Sequence, residues 1–180
     1  MATTRFRKLT ENDLDQVLKW RRKTRITRNM LTNISKNPGD QKEWFRKISK
    51  DPTCLYWVIE LENTPIGLVN LAQIDHSTQE CTIGFYIGAD EYAPMSGAFL
   101  PYIYNHVFME MGIKRIFGAV LAHNTGMLKI HELHGYRVLR TLKNHFEKNG
   151  ESFDVIEVEL TAKNWLEQKR FSKWRVKMTD

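Results

Sequence analysis

The segment Glu80–Phe108, ECTIGFYIGADEYAPMSGAFLPYIYNHVF, reads as a buried strand, a turn-rich loop and a helix opening on Ser96-Gly97-Ala98. The first N–H groups of a helix lack intrahelical partners, and the helix dipole favours negative charge there, so such a corner can cradle a phosphate. This corner is sparsely furnished, with one glycine in the loop and no Lys or Arg between Glu91 and Phe99. Backbone N–H groups from Met95 to Phe99 can still hold a phosphate if the turn geometry is right.

Downstream lies HNTGMLKIHELHGY, His123–Tyr136. Asn124 is a favoured helix N-cap. His131 follows seven residues later, nearly two helical turns, so the two project along a similar stripe. A histidine of ordinary pKa, about 6.5, is mostly neutral at physiological pH, and either tautomer carries one N–H. His131 and His134 are spaced i, i+3, whereas the helical zinc motif needs i, i+4 around a glutamate. His76, His106, His123 and His145 form no ligand cluster in the sequence, and no metal is expected.

The run Arg21–Arg28, RRKTRITR, followed by Met30, could meet a phosphate, since guanidinium suits bidentate contacts. A solvated basic loop explains any one of these residues equally simply, and the end of a helix favours cations anyway. The net charge of +6 permits attraction to phosphates without requiring it.

With 180 residues, 42% hydrophobic and 27% charged, the chain reads as one domain able to bury its own core. No apolar run approaches a membrane span, and the N-terminus MATTRFRKLTEND lacks a signal-peptide core. Cys54 and Cys81 form no C-x-x-C pair and read as buried free thiols, so a cytoplasmic location is expected. The stretch 161–180, with Trp165, Phe171 and Trp174 among basic residues, reads as an extension packed on the body or on a partner subunit. Membrane-surface or nucleic-acid binding are lesser readings of it.

The elements that must position these groups follow from periodicity and punctuation. Arg5–Leu9 reads as a strand, and Thr10 or Asn12 as the cap of a helix to about Arg22. Asn37-Pro38-Gly39-Asp40 reads as a turn whose Asp40 caps a second helix, ended by Asp51-Pro52. Strands Leu55–Leu61 and Ile66–Ile74 are apolar on both faces and therefore central. Then come a strand Cys81–Ile87, a helix to about Met111, a strand Arg115–Leu121 and a helix from Asn124 to Gly135. A hairpin, Tyr136–Glu147 with Ser152–Leu160, turns at Asn149-Gly150. The order predicts an α/β (α+β) fold, a central mixed, mostly antiparallel sheet flanked by helices, in a single domain over 1–180.

Taken with GFYIG, SGAFL and this strand order, the chain resembles the GNAT superfamily of acyl-CoA N-acyltransferases over nearly its whole length. The family's loop, (Q/R)-x-x-G-x-(G/A), binds the pyrophosphate of acetyl-CoA. Gly97 matches its last small residue, while Tyr92 and Met95 depart from its first residue and first glycine. Asn124, Met127, His131, Gly135 and Tyr136 fall on the second pattern, N-x-x-A-x-x-x-Y-x-x-x-G-(F/Y), with His131 in place of the tyrosine. A narrower likeness, carried by LKWRRKTRITRNM, QKEWFRKISKD, IGLVNLAQID and NHFEKNGESFDVIEVELTAKNW, is to the branch that acetylates a UDP-linked 4-amino sugar in pseudaminic acid synthesis. Polyamine and ribosomal-protein acetyltransferases share much of this layout.

The resemblance implies an acetyl-CoA-dependent N-acetyltransferase working by direct attack of a primary amine, here expected to be a nucleotide-linked amino sugar. A polyamine or ribosomal-protein N-terminus is the alternative acceptor. A non-catalytic acyl-CoA- or nucleic-acid-binding member of the fold is the alternative of another class. Phe85, Ile87, Met95, Ser96, Gly97, Ala98, Phe99, Asn124 and His131 would hold acetyl-CoA, with Gly84 allowing close backbone approach. The Ile87 backbone would receive the oxyanion and His131 would contact the sulfur, favouring an acidic optimum if it delivers a proton as imidazolium. Glu80, Asp75, His76 and Glu91 are the base candidates, Glu80 foremost. Arg21, Arg28, Met30 and Tyr86 would wall the acceptor site. A homodimer is compatible with the pattern.

Overall fold

The computed structural model describes residues 3–33, 35, 37–176 and 178–179. Eight strands form one sheet: β1 (Thr4–Lys8), β2 (Leu55–Leu61), β3 (Thr64–Asp75), β4 (Glu80–Ile87), β5 (Arg115–Leu121), β6 (Arg137–Lys148), β7 (Glu151–Thr161) and the short β8 (Met178–Thr179). Their spatial order is β6-β7-β5-β4-β3-β2-β1-β8. Only β4/β5 and β1/β8 run parallel, so the expected mixed, mostly antiparallel sheet is what forms.

Strand alternation sends successive side chains to opposite faces. On one face Ile59, Val69, Leu71 and Cys81 pack against Ile103, Tyr104 and Val107 of the helix that follows β4. On the other, Val58, Leu68 and Tyr86 pack against Val17, Trp20 and Ile26. The latter residues belong to α1 (Leu14–Arg22) and the single turn α2 (Thr24–Thr27), and α3 (Pro38–Ile48) closes this layer. The Asp13 carboxylate fixes the start of α1, accepting from the Thr10 N–H at 2.9 Å and from Arg7 at 2.7 Å. Arg7 also donates to Glu60 on β2 at 2.6 Å, so β1, β2 and the entry to α1 are clamped together.

Two helix starts differ from expectation. Helix α3 begins at Pro38, capped by Asn37, whose Oδ1 accepts from the Gly39 N–H at 2.9 Å. Proline is pre-organised for the first helical position, which leaves Asp40 inside the first turn rather than capping it. After β4 the chain does not open an α-helix at Ser96. It winds as a 3₁₀ helix from Asp90 to Ala98, then as α4 (Leu100–Asn105), then as a π turn over His106–Glu110. Pro94 accounts for the tighter winding, because it lacks the N–H that an α-helix from Asp90 needs there, and Pro101 is accommodated in the first turn of α4.

Helix α5 (Thr125–Leu133) starts at the expected cap: Asn124 Oδ1 accepts from Met127 N–H at 3.3 Å. The β6–β7 hairpin turns through Asn149 and Gly150 at φ of 52° and 82°, the left-handed geometry that such turns require. The C-terminal extension docks on the body. Trp165, on α6 (Ala162–Leu166), stacks on Phe171 with ring centroids 5.0 Å apart. The Asn105 carboxamide accepts from the Trp165 indole at 2.8 Å and donates to the carbonyls of Phe171 and Trp174. Cys81 is buried and Cys54 half-buried, both as free thiols.

Candidate active site

The site arises where the sheet comes apart. β4 stays paired with β3 from Glu80 to Ile87, but its parallel pairing with β5 ends at Thr82, opposite Phe117. The Gly88 N–H donates to Ile66 on β3 at 2.7 Å, so by alternation Phe85 and Ile87 turn their N–H and C=O groups away from β3, into the gap, as Ile83 does its C=O beyond the last β5 pairing. Arg25 Nη2 donates to the Ile87 carbonyl at 3.1 Å and also grips Asp90 at 2.7 Å, which holds the free end of β4 in place. A cleft of about 1370 Å³ runs through this gap and under α1–α3, with Ile83, Phe85, Ile87, Ser96, Asn124 and His131 along it.

Several expected site residues thus meet in one place. Ser96 faces the cleft, and Gly97 lies against α5: a methyl group there would sit 3.3 Å from Ile130 Cγ1. The cradle itself differs from expectation at its end. The Phe99 N–H is already spent on the Ser96 carbonyl at 3.3 Å, Phe99 is buried in the core, and Met95 is half exposed and off the cleft. Ala98 closes the 3₁₀ segment without lining the cleft.

His131 is buried, its ring centroid 4.2 Å from that of Tyr136, and its Nδ1 has no hydrogen-bond partner among the described residues. Burial, with a smaller contribution from His134, lowers its pKa to about 4. The imidazole is therefore neutral at physiological pH, so the expectation of proton delivery by an imidazolium does not hold. Glu80 lies at the far, closed end of β4, does not line the cleft and is ion-paired with Arg115. The expectation of a base at Glu80 is corrected accordingly. Among the described residues no cluster of three His, Cys, Asp or Glu is placed to hold a metal.

The wall under α1–α3 is the candidate acceptor site. Met30, Tyr86 and Arg21 line it; Arg28 does not, being exposed with its carbonyl against His123 at 3.1 Å. The Arg21 guanidinium sits 5.9 Å from the Tyr86 ring centre and donates to Thr32 Oγ1 at 2.9 Å. Its buried Nε and the Tyr86 hydroxyl have no partner, and no carboxylate pairs with Arg21 among the described residues. Burial lowers the Arg21 pKa and raises that of Tyr86. Lys148, from the β6–β7 hairpin, donates to the carbonyls of Thr27 and Met30, and burial, with a smaller contribution from the Arg21 charge, lowers its pKa. The sequence reading missed Lys148, as well as Tyr56, Asn70 and Gln41 on the cleft floor and wall. Asn70, a polar residue amid the apolar run of β3, was the one visible signal.

The donor requirements fit these residues. An acyl-CoA needs edge backbone groups for its amide-bearing arm and a helix start for its phosphates; the open β4 edge is of the first kind, and the start of α5 at Asn124 lies on the cleft.

Comparison with known proteins gives a consistent frame. The family model described as an acetyltransferase (GNAT) domain matches residues 6–156. No curated protein matches the sequence. Among solved structures, spermidine N-acetyltransferase from Vibrio cholerae in complex with CoA and spermine is similar with a TM-score of 0.83 and 20% identity, covering 92% of this chain and 98% of that one. A chimera of the Vibrio cholerae enzyme SpeG with hSSAT gives 0.81 and 18%, covering 92% and 99%.

Proposed function

The chain belongs to the GNAT acetyltransferase family and is an acetyl-CoA-dependent N-acetyltransferase; we propose that its acceptor is a primary amine carried on an anionic molecule, a UDP-linked amino sugar being the expected case. The observation that carries this reading is Arg21, a half-buried guanidinium on the acceptor wall with a buried, unpartnered Nε, a second cation nearby and no ion-paired carboxylate among the described residues. A partly desolvated charge without an anionic partner is costly, and a phosphate in the cleft reduces that cost.

Bound acetyl-CoA supplies an acyl group already activated as a thioester. The chain does the rest. The N–H groups of Phe85 and Ile87 are donors facing the gap, and Arg25, gripping the Ile87 carbonyl, anchors this end of β4, so the charge developing on the acyl oxygen meets the Ile87 N–H. Ser96 and Asn124 line the end toward which phosphates are drawn, with Gly97 packed against α5. His131, as a neutral imidazole, donates a hydrogen bond to the departing sulfur. The amine loses its proton to water in the open cleft, with no dedicated carboxylate base.

A polyamine acceptor is the second reading, supported by the spermine-bound similar structure and by exposed Asp40 at the cleft. At 20% identity that likeness shows the fold alone. The test is thiol release from acetyl-CoA with matched amines: a UDP-linked amino sugar, the same sugar without the nucleotide, spermidine and an N-terminal peptide. Preference for the phosphate-bearing amine supports the reading, and turnover of spermidine with the nucleotide sugar inert overturns it.

A further inference from the structure

We infer that Asn70 is the residue that orients the attacking amine, an inference resting on the acetyltransferase reading of this cleft. Asn70 sits in the middle of β3, in register between Tyr56 on β2 and Gly84 on β4, so the three share one face of the sheet, the acceptor face. Its carboxamide lies across Gly84: a methyl group at Gly84 would collide with Asn70 Oδ1 and lie 3.3 Å from Cγ and 3.5 Å from Nδ2. Gly84 has a negative φ, so what the glycine supplies here is room for the amide.

The amide occupies a particular junction. On either side of Gly84, Ile83 and Phe85 present backbone groups to the gap where β4 leaves β5, while Asn70 and Tyr86 face the acceptor wall. The Asn70 side chain makes no hydrogen bond within the described protein, although it is half-buried in a central strand. A carboxamide offers two donors and an acceptor. Glu80 is ion-paired at the closed end of β4, and Glu157, which lines the cleft, is ion-paired with Arg140. The Asn70 oxygen accepts one N–H of the amine and aims its lone pair at the thioester carbonyl. The C–N bond forms as the C–S bond breaks, the sulfur leaves with the electron pair, and the amine's surplus proton passes to water. Asn70 is unchanged throughout.

The test uses the full chain and steady-state thiol release. In Asn70→Ala, kcat/KM for the amine falls on the order of 10–100-fold, the worth of one charge-assisted hydrogen bond, while KM for acetyl-CoA stays within about 2-fold. Asn70→Asp keeps the acceptor and adds a charge that holds the amine as ammonium, moving the low-pH limb of the amine kcat/KM profile upward by on the order of one pH unit. A purely structural role would not move that limb. Gly84→Ala displaces the amide and reproduces the Asn70→Ala defect, and the double variant is no worse than either single variant. Unchanged amine kinetics in Asn70→Ala, or additive losses in the double variant, overturn the inference while leaving the wild-type activity intact. Absence of any wild-type turnover would instead strike at the acetyltransferase reading. In that event the inference falls with it.

Discussion

The guanidinium of Arg21 lies 5.9 Å from the ring centre of Tyr86, and neither the Arg21 Nε nor the Tyr86 hydroxyl has a partner among the described residues. Two unsatisfied polar groups converging on one wall of a cleft are costly to stability and useful to recognition. Replacing Arg21 by Met should therefore raise thermal stability by a few degrees, since about 1 kcal/mol shifts a protein of this size by roughly 2–4 °C. The same variant should lose on the order of 10-fold or more in kcat/KM for a phosphate-bearing amine. A melting curve alongside acceptor kinetics checks both, and a variant that is less stable and equally active contradicts them.

Asn124 combines a cap with a position on the cleft. Asn124→Asp preserves the capping oxygen, so stability should hold, but a carboxylate beside a polyanionic donor should weaken acetyl-CoA binding on the order of 5–20-fold. Asn124→Ala should cost about 1 kcal/mol of stability. Calorimetric titration with acetyl-CoA and a denaturant melt of each variant separate the two roles.

His131 and His134 both have pKa values lowered to about 4 by burial. The unfolded chain, with ordinary histidines near 6.5, binds more protons than the folded one between those values. Stability is therefore full above about pH 6.5 and is lost as pH falls toward 4, by on the order of 3 kcal/mol per histidine. His134→Phe should remove about half of that acid sensitivity. Activity between pH 6 and 9 should show no limb from His131, since its imidazole does not titrate there.

The extension hangs on Asn105, whose carboxamide satisfies the Trp165 indole and two carbonyls. Asn105→Ala leaves that indole N–H buried without a partner and should cost roughly 1–3 kcal/mol. A lowered melting temperature with early loss of Trp165 burial, read by tryptophan fluorescence, is the expected result.

Much of the frame was legible in the sequence because it is written in local terms. Strands Leu55–Leu61 and Arg115–Leu121 emerge with their expected ends, and Asn149-Gly150 marks the hairpin turn through its need for positive φ. The helix after β4 was misread because Pro94 changes the winding, and nothing local announces the π turn at His106–Glu110. The site was legible only where a residue's own element aims it: Ile87, Asn124 and His131 fall on the cleft. Glu80 and Arg28 failed because their neighbours are distant in sequence, Arg115 for one and His123 for the other. Lys148 reaches Thr27 across 121 positions, a relation no spacing rule reveals.

The central claim is that the gap between β4 and β5 holds acetyl-CoA beside an acceptor wall built around Arg21. Its most direct test is thiol release from acetyl-CoA in competition, with a UDP-linked amino sugar and spermidine present at equal concentration. The account predicts acetylation of the nucleotide-linked amine, and its loss in Arg21→Met. Acetylated spermidine as the sole product, equally abundant with Arg21→Met, would contradict it.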